Sequence, residues 1–249
     1  FAKHGELARG EGDVMVGIGI PTVGLKKYLK QTIDSLVSSY AVKLLVIDNN
    51  SCDGTTEWLK QCGYEYILNP ENYGVARSWN QILNWARSHD DFELCFIMNN
   101  DIVLHPIAVD NMIHAVFNDG KGAITGVDVG THPNLLATVT KPIPRYFLAM
   151  NFSCFGLTAK TIEKIGLFDE NFKGGYFEDN DYHQRMRIGG IDCCADRWAP
   201  FSHYSSRTVR EGGVDMAEHF IANREYFIQK WGCTPAEWGA LWDKSEGGQ

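Results

Sequence analysis

The sequence predicts an α/β protein: a single domain with a mostly parallel central sheet flanked by helices. Three observations predict it. Short β-branched apolar runs alternate with amphipathic stretches through the first half of the chain. Those runs are apolar on both faces, as strands covered by helices on each side must be. No repeat and no low-complexity linker divides the 249 residues.

In order, residues 14–21 (VMVGIGIP) form an apolar run closed by proline, a buried strand. Leu25, Leu29, Ile33 and Leu36 then recur at helical spacing. The run VKLLVIDNNS is a second buried strand that ends in polar residues, and TTEWLKQC is a helix stopped by Gly63. The segment YEYIL is a third strand. In VARSWNQILNWARSH, residues Val75, Trp79, Ile82, Leu83 and Ala86 line one stripe of a helix. The segment FELCFIMNND is a fourth strand, followed by the helix PIAVDNMIHAVFN. Beyond residue 123 the pattern loosens. Residues 131–147 read as loops or edge strands, and TAKTIEKIG, EDNDYHQRMRIGG and DMAEHFIANREYFIQKWG read as helices. The last should pack Met216, Phe220, Phe227 and Trp231 on the core.

The chain is 44% hydrophobic and 22% charged, with a net charge of -8. That balance disfavours a broad nucleic-acid or anionic-membrane surface, although an anion can still be held locally. No run approaches the ~20 apolar residues of a membrane span. The seven cysteines are scattered and odd in number, with no C-x-x-C, so they read as reduced thiols of a cytoplasmic protein. No apolar leader is visible at the N-terminus.

Chemistry-bearing residues collect in four clusters. The first is Asp48-Asn49-Asn50-Ser51 with Asp53-Gly54-Thr55. The second is Asn72-Tyr73-Gly74 followed by Arg77 and Asn80. The third, Asn99-Asn100-Asp101, sits oddly at the end of an apolar strand. The fourth is Glu178-Asp179-Asn180-Asp181, with His203 downstream. Each has a plain structural reading as a turn, a cap or an acidic helix start. In a parallel sheet, however, polar residues at strand carboxyl ends face the ligand crevice. Their ordered combination calls for a common explanation.

The stretches VGIGIPT, LLVIDNNSCDGT, NPENYGVARSWNQIL, IMNNDIVLHP, IGLFDENF, YFEDNDYHQRM, FSHYSS and ANREYFIQKWG, in this order, resemble the inverting nucleotide-sugar glycosyltransferases of family 2. The resemblance implies a GT-A (Rossmann-like) domain over residues 14–232, with an N-terminal extension (1–13) and a C-terminal tail (233–249). Residues 14–122 would bind the nucleotide sugar, and residues 123–232 would form the acceptor and catalytic half. It further implies that Pro21, Thr22, Asp48, Asn50, Ser51, Asp53, Asn72, Gly74 and Arg77 meet the nucleotide. Asn99, Asn100 and Asp101 stand at the family's D-x-D position. Asn99 replaces its first acid, leaving Asp101 and His203 to hold Mn²⁺ or Mg²⁺. Asp179 is implied as the general base, with Glu178 the runner-up and Asp181 structural. A UDP- or dTDP-sugar donor, a saccharide or glycan acceptor and a possible homo-oligomer complete the expectation.

Two other function classes fit parts of the sequence. A nucleotidyltransferase shares the fold type but usually carries a Gly-rich basic loop after the first strand, where this chain reads PTVGLKKYL. A sugar-nucleotide or carbohydrate-binding module that has lost catalysis would accommodate Asn99. On the acceptor side, Tyr146, Phe147 and Phe152 read first as core packing, with stacking on an acceptor sugar the alternative. Lys141, Arg145, Arg207 and Arg210 are candidates for a local basic patch.

Overall fold

The structure is a computed structural model that describes residues 15–130, 144–204 and 216–238. The expected N-terminal extension, most of the 131–147 segment, Lys141, Arg207, Arg210 and the end of the C-terminal tail lie outside the described residues.

The first half follows the predicted alternation. It runs β1 (Met15–Thr22), α1 (Lys26–Asp34), β2 (Val42–Asp48), α2 (Thr55–Cys62), β3 (Glu65–Leu68), α3 (Gly74–Arg87), β4 (Phe92–Met98), a short β5 (Ile102–Leu104) and α4 (Ala108–Phe117). The second half contains β6 (Ala123–Asp128), β7 (Tyr146–Phe147), β8 (Cys154–Thr158), α5 (Ala159–Ile165), α6 (Glu178–Ile188), β9 (Cys193–His203) and α7 (Ala217–Trp231). Gly63 adopts φ 73°, the left-handed conformation that stops α2 as the sequence predicts.

All these strands join one sheet, in the order β3-β2-β1-β4-β8-β6-β9-β5, with β7 paired to β9. The β3-β2-β1-β4 portion is parallel throughout. Beyond β4 the sheet is mixed: β8 is antiparallel to β4 and β6, while β9 runs parallel to β6 and antiparallel to β5 and β7. The sequence analysis missed β5, β6, β8 and β9. Their pattern signals were short, or interrupted by Pro200 and charged residues.

Two apolar layers cover the sheet. One joins α1, α2 and α4 to it, and the other joins α3, α5 and α6. α3 lies close on β1 because Gly19 has no side chain: a Cβ there would stand 2.1 Å from Cγ2 of Ile82. A third, smaller cluster of Phe172, Phe177 and Phe227 seats α7. Cys193 and Cys194 are buried in β9, and every described cysteine is a free thiol. No helix among the described residues is long and apolar enough to cross a membrane.

This topology places the site. The chain order reverses between β2 and β4, on either side of β1. Such a switch point opens a crevice beyond the strands' carboxyl ends. Thr22 and Asn99 sit at that edge. Because β8 is antiparallel to β4, residues 151–153 arrive at the same edge, where Asn99 N–H donates to Ser153 O at 2.8 Å. Because β9 is antiparallel to β5, His203 is brought opposite Ile102, next to Asp101.

Candidate active site

A cleft of about 540 Å³ occupies this crevice. Pro21, Thr22, Val23, Asn49, Asn72 and Gly74 form one wall, and Asn99, Asn100, Asp101 and His203 form its floor. The opposite wall is made by residues 150–153, Gly174, Gly175, Tyr176, Glu178 and Asp179. Nucleotide-side, floor and catalytic-side residues predicted from five separate segments therefore share one cavity.

On the floor, His203 Nε2 lies 3.0 Å from Asp101 Oδ1 and 3.3 Å from the Asn99 side-chain nitrogen. The other ring nitrogen of His203 faces Asp128 at 3.9 Å. Asn100 donates to Thr22 Oγ1 at 2.8 Å and so ties the end of β4 to the end of β1. Among the described residues no three His, Cys, Asp or Glu side chains converge as a closed metal cage. One carboxylate, one imidazole and a neutral amide make an open set. Such a set suits a hard divalent ion whose remaining ligands are phosphate oxygens and water.

On the nucleotide side the structure separates liners from supports. Asp48 is fully buried: its carboxylate accepts from Ser51 N–H at 2.9 Å and from the Thr56 hydroxyl, and it does not line the cleft. Asn50, Ser51 and Asp53 also stand outside the cleft lining. Ser51 Oγ accepts from Gly24 N–H at 2.7 Å. Asp53 accepts from Lys26 N–H at 2.7 Å and Thr55 N–H at 3.2 Å, joining the starts of α1 and α2. Burial raises the Asp53 carboxyl pKa, but these bonds outweigh it and hold it below the usual range. Arg77 does not reach the cleft either, since its guanidinium lies 3.5 Å over the Tyr73 ring on the exposed face of α3.

Asn72 and Gly74 do line it. Asn72 Oδ1 accepts from Gly74 N–H at 3.0 Å. Gly74 has φ 77°, and a Cβ there would stand 2.8 Å from the carbonyl oxygen of Gly174. Val75 N–H donates to that same oxygen at 2.8 Å, so the loop before α3 touches the loop before α6 backbone to backbone.

The sequence analysis named Asn49 and Asn80 within their clusters but not the amide network beneath this wall. Asn49 accepts from Asn69 at 2.8 Å and donates to Ser78 at 2.8 Å, while Asn69 and Gln81 exchange amide hydrogen bonds. Asn80, also buried, holds residue 168 through both its amide atoms. Their signal was the run of amides itself.

Across the cleft, Glu178 and Asp179 open α6. Glu178 is 4% exposed, and its Oε2 has no hydrogen-bond partner among the described residues. Burial, then the neighbouring Asp179, pushes the Glu178 carboxyl up to about 8. Asp179 is half-buried and is also raised, by burial, against a 2.7 Å bond from Asn180 N–H. Two adjacent buried carboxyls cannot both ionise cheaply, so one keeps its proton. Asp181 is structural, as expected: it pairs with Arg185 at 2.9 Å and Lys230 at 2.7 Å and accepts from Trp231 Nε1 at 3.0 Å.

The alternative of an aromatic acceptor wall from Tyr146, Phe147 and Phe152 is not what the structure shows. Tyr146 and Phe147 pair with β9, under Arg145 and Arg197, and neither lines the cleft. Phe152 lines it but is packed among Trp79, Phe155 and Phe168. The exposed rings near the cleft are Tyr176 and Phe220, 5.4 Å apart. Arg145 is committed to the buried Asp196 at 2.7 Å, so it is not a free basic patch.

Residues 18–172, more than half of the chain, match the model of Glycosyl transferase family 2. The chain belongs to that family. One curated relative of this family 2 chain is a galactofuranosyl glycosyltransferase of Leishmania donovani, 32% identical over 75 residues. That match covers 30% of this chain and 17% of the relative, so the chain spans a small part of that protein's length. Solved structures show the fold to be the GT-A fold. The mannosyltransferase PcManGT from Pyrobaculum calidifontis, in complex with GDP-Man and Mn²⁺, aligns with TM-score 0.61 at 15% identity, over 86% of this chain and 64% of that one. GalNAc-T7 with UDP, GalNAc and Mn²⁺ aligns with TM-score 0.67 at 11% identity, over 89% and 49%. S. aureus TarS in complex with UDP-GlcNAc aligns with TM-score 0.60 at 10% identity, over 84% and 64%.

Proposed function

We propose that the chain is a metal-dependent inverting glycosyltransferase that moves a sugar from a nucleotide diphosphate to a hydroxyl of a saccharide acceptor. The observation that carries this reading is the shared cleft: an Asp101–His203 pair on its floor, facing a buried carboxyl pair, Glu178 and Asp179. A divalent ion, Mn²⁺ or Mg²⁺, would be held by Asp101 and His203, with the Asn99 amide beside them. When bound, it supplies positive charge against the leaving diphosphate.

The chain's own groups do the rest. Pro21, Thr22, Val23, Asn49 and Asn72 face the nucleotide. A UDP- or dTDP-sugar as donor rests on the family resemblance. Asp179 takes the proton of the acceptor hydroxyl as its oxygen bonds to the anomeric carbon. The bond from that carbon to the diphosphate oxygen breaks, and its electron pair leaves with the nucleotide. One displacement from the opposite face inverts the centre. Glu178 keeps its proton beside Asp179 and stays neutral. Tyr176 and Phe220 offer the acceptor ring an apolar face at the mouth of the cleft.

A binding module without catalysis is the second reading, and Asn99 in place of an acid favours it. One experiment separates the two. UDP, dTDP, GDP and CDP are titrated calorimetrically with Mn²⁺ and with chelator, and the matching nucleotide sugars are assayed for release of the diphosphate. The transferase reading expects one nucleotide to bind tightly only with Mn²⁺, Asp101→Ala to lose that dependence, and Asp179→Asn to bind normally while turnover falls at least ~10²-fold. Metal-dependent binding without turnover leaves the binding module standing. Equal binding in chelator sinks the metal assignment.

A further inference from the structure

The backbone that delivers Asp179 is unusual. Gly174, Tyr176 and Phe177 all have positive φ, at 69°, 75° and 71°. For two aromatic residues this conformation costs on the order of 1–3 kcal/mol each, and it persists only where the surroundings over-determine it. Phe177 is the residue immediately before α6, and its carbonyl accepts the 2.9 Å bond from Asp181 N–H that begins the helix. The twist of this loop therefore sets where Glu178 and Asp179 point.

One side chain supplies most of the polar restraint. Asn223 on α7 is 2% exposed. Its Oδ1 accepts from Lys173 N–H at 3.0 Å. Its Nδ2 donates to the carbonyls of Lys173 and Gly175, both at 2.8 Å, and of Tyr176 at 3.1 Å. Only a side-chain amide of this length can accept from one backbone N–H while donating to several carbonyls. Aspartate keeps the shape but has no donor at neutral pH, and alanine has neither function. Asn223 does not line the cleft, so it touches no substrate.

We infer that Asn223 is a positioning residue: it clamps the 173–177 loop in its left-handed course and so aims the Asp179 carboxylate at the acceptor hydroxyl. The inference rests on the proposed reading of Asp179 as base. Its effect passes through geometry, and a displacement of ~1 Å at a reacting group costs ~10²-fold in rate.

The test compares Asn223→Asp, Asn223→Ala and Asp179→Asn with the wild type. UDP with Mn²⁺ serves as the binding probe, and UDP release from a panel of UDP-sugars as the turnover assay. Amide hydrogen exchange is followed at residues 173–177, and urea midpoints confirm that each variant is folded at the assay temperature. The clamp expects both Asn223 variants to lose about 10²-fold in kcat, with donor KM and UDP affinity within about threefold of wild type. Exchange at 173–177 should rise well above that of the sheet. Unchanged kcat in folded Asn223→Asp overturns the inference, as does a loss carried by KM alone or unchanged loop exchange. Should Asn223→Ala not fold, Asn223→Asp alone decides. Full turnover by Asp179→Asn would instead refute the base assignment, and the exchange result would still judge the clamp.

Discussion

Two adjacent carboxyls open α6, and burial raises both of them. Glu178 Oε2 is buried with no hydrogen-bond partner among the described residues, whereas the Asp179 carboxylate accepts from Asn180 N–H, and both residues line the cleft. The folded state raises the Glu178 pKa above its ordinary value, so folding takes up a proton there. Its contribution to stability is complete below pH ~4.5 and is lost as the pH rises through about 8. Glu178→Gln, neutral at every pH, should therefore flatten the fall in urea stability between pH 5 and 8.5. A wild-type slope that survives the substitution would show that the proton resides elsewhere.

At the same scale, Asn99 explains a puzzle in the sequence. An apolar strand ending in two amides and a carboxylate is poor as a core segment but apt as a crevice edge. Asn100 ties two strand ends together, Asn99 stands beside His203, and Asp101 faces the imidazole. The amide at Asn99 lets the carboxylate and the imidazole approach without a second negative charge on the floor.

Among the elements, α3 is the one on which both halves of the site depend. Its first turn carries Gly74 against Gly174, its middle carries Asn80 against residue 168, and its underside lies on β1. The contact with β1 is tight enough to be tested. A valine at position 19 would drive its Cβ into Ile82, and overpacking of this kind costs about 1–3 kcal/mol. Gly19→Val should lower the urea midpoint accordingly, and Ile82→Ala added to it should recover part of the loss. Strict additivity of the two changes would mean that α3 moves away without strain.

α7 is fastened by charge as well as by its phenylalanines. Lys230 reaches Asp169 and Asp181, each at 2.7 Å, and Tyr226 donates to Asp169 at 2.9 Å. Burial raises the Asp169 carboxyl, but Lys230, Asn171 and Tyr226 outweigh it and hold it down to about 2. A depressed carboxyl stabilises the fold above its unfolded pKa and stops doing so as the pH falls through the folded value. Acid titration from pH 4 to 2 should therefore loosen α7, and hydrogen exchange in residues 217–231 should rise in that window. Asp169→Asn should show the faster exchange already at neutral pH.

At the scale of the whole molecule, legibility followed the physics of pattern. The β-α alternation was readable because each strand of the parallel half is a continuous apolar run and each helix has a single apolar stripe. Pro21, Thr22 and Asn99 stand where such runs end, whereas Asn72 and Gly74, beyond the end of β3, were reached through the family resemblance. The mixed half was not. β8 is only five residues long, β9 holds Asp196, Arg197 and Pro200, and the bonds that satisfy them are made with residues distant in sequence. Asp48, Asp53 and Arg77 were drawn to the ligand by motif. Their actual partners, Thr56, Lys26 and the Tyr73 ring, lie in or beside the same local segments, and spacing cannot say which way a side chain turns. Asn223 was invisible because nothing in the sequence links it to a loop fifty residues earlier.

The strand order has a further consequence, for how the molecule is made. β5 is synthesised well before its partner β9, the last of the described strands. A nascent chain emerges at ~5–20 residues per second, N-terminus first. Until residue 203 leaves the ribosome, β5 has no neighbour, β6 presents an unpaired edge, and Asp101 has no histidine to face. The parallel half can gather while translation continues, but the floor of the cleft is completed only once β9 has emerged. The open edge in that interval is the kind that chaperones guard, and the histidine of the floor meets its carboxylate only after β9 has emerged.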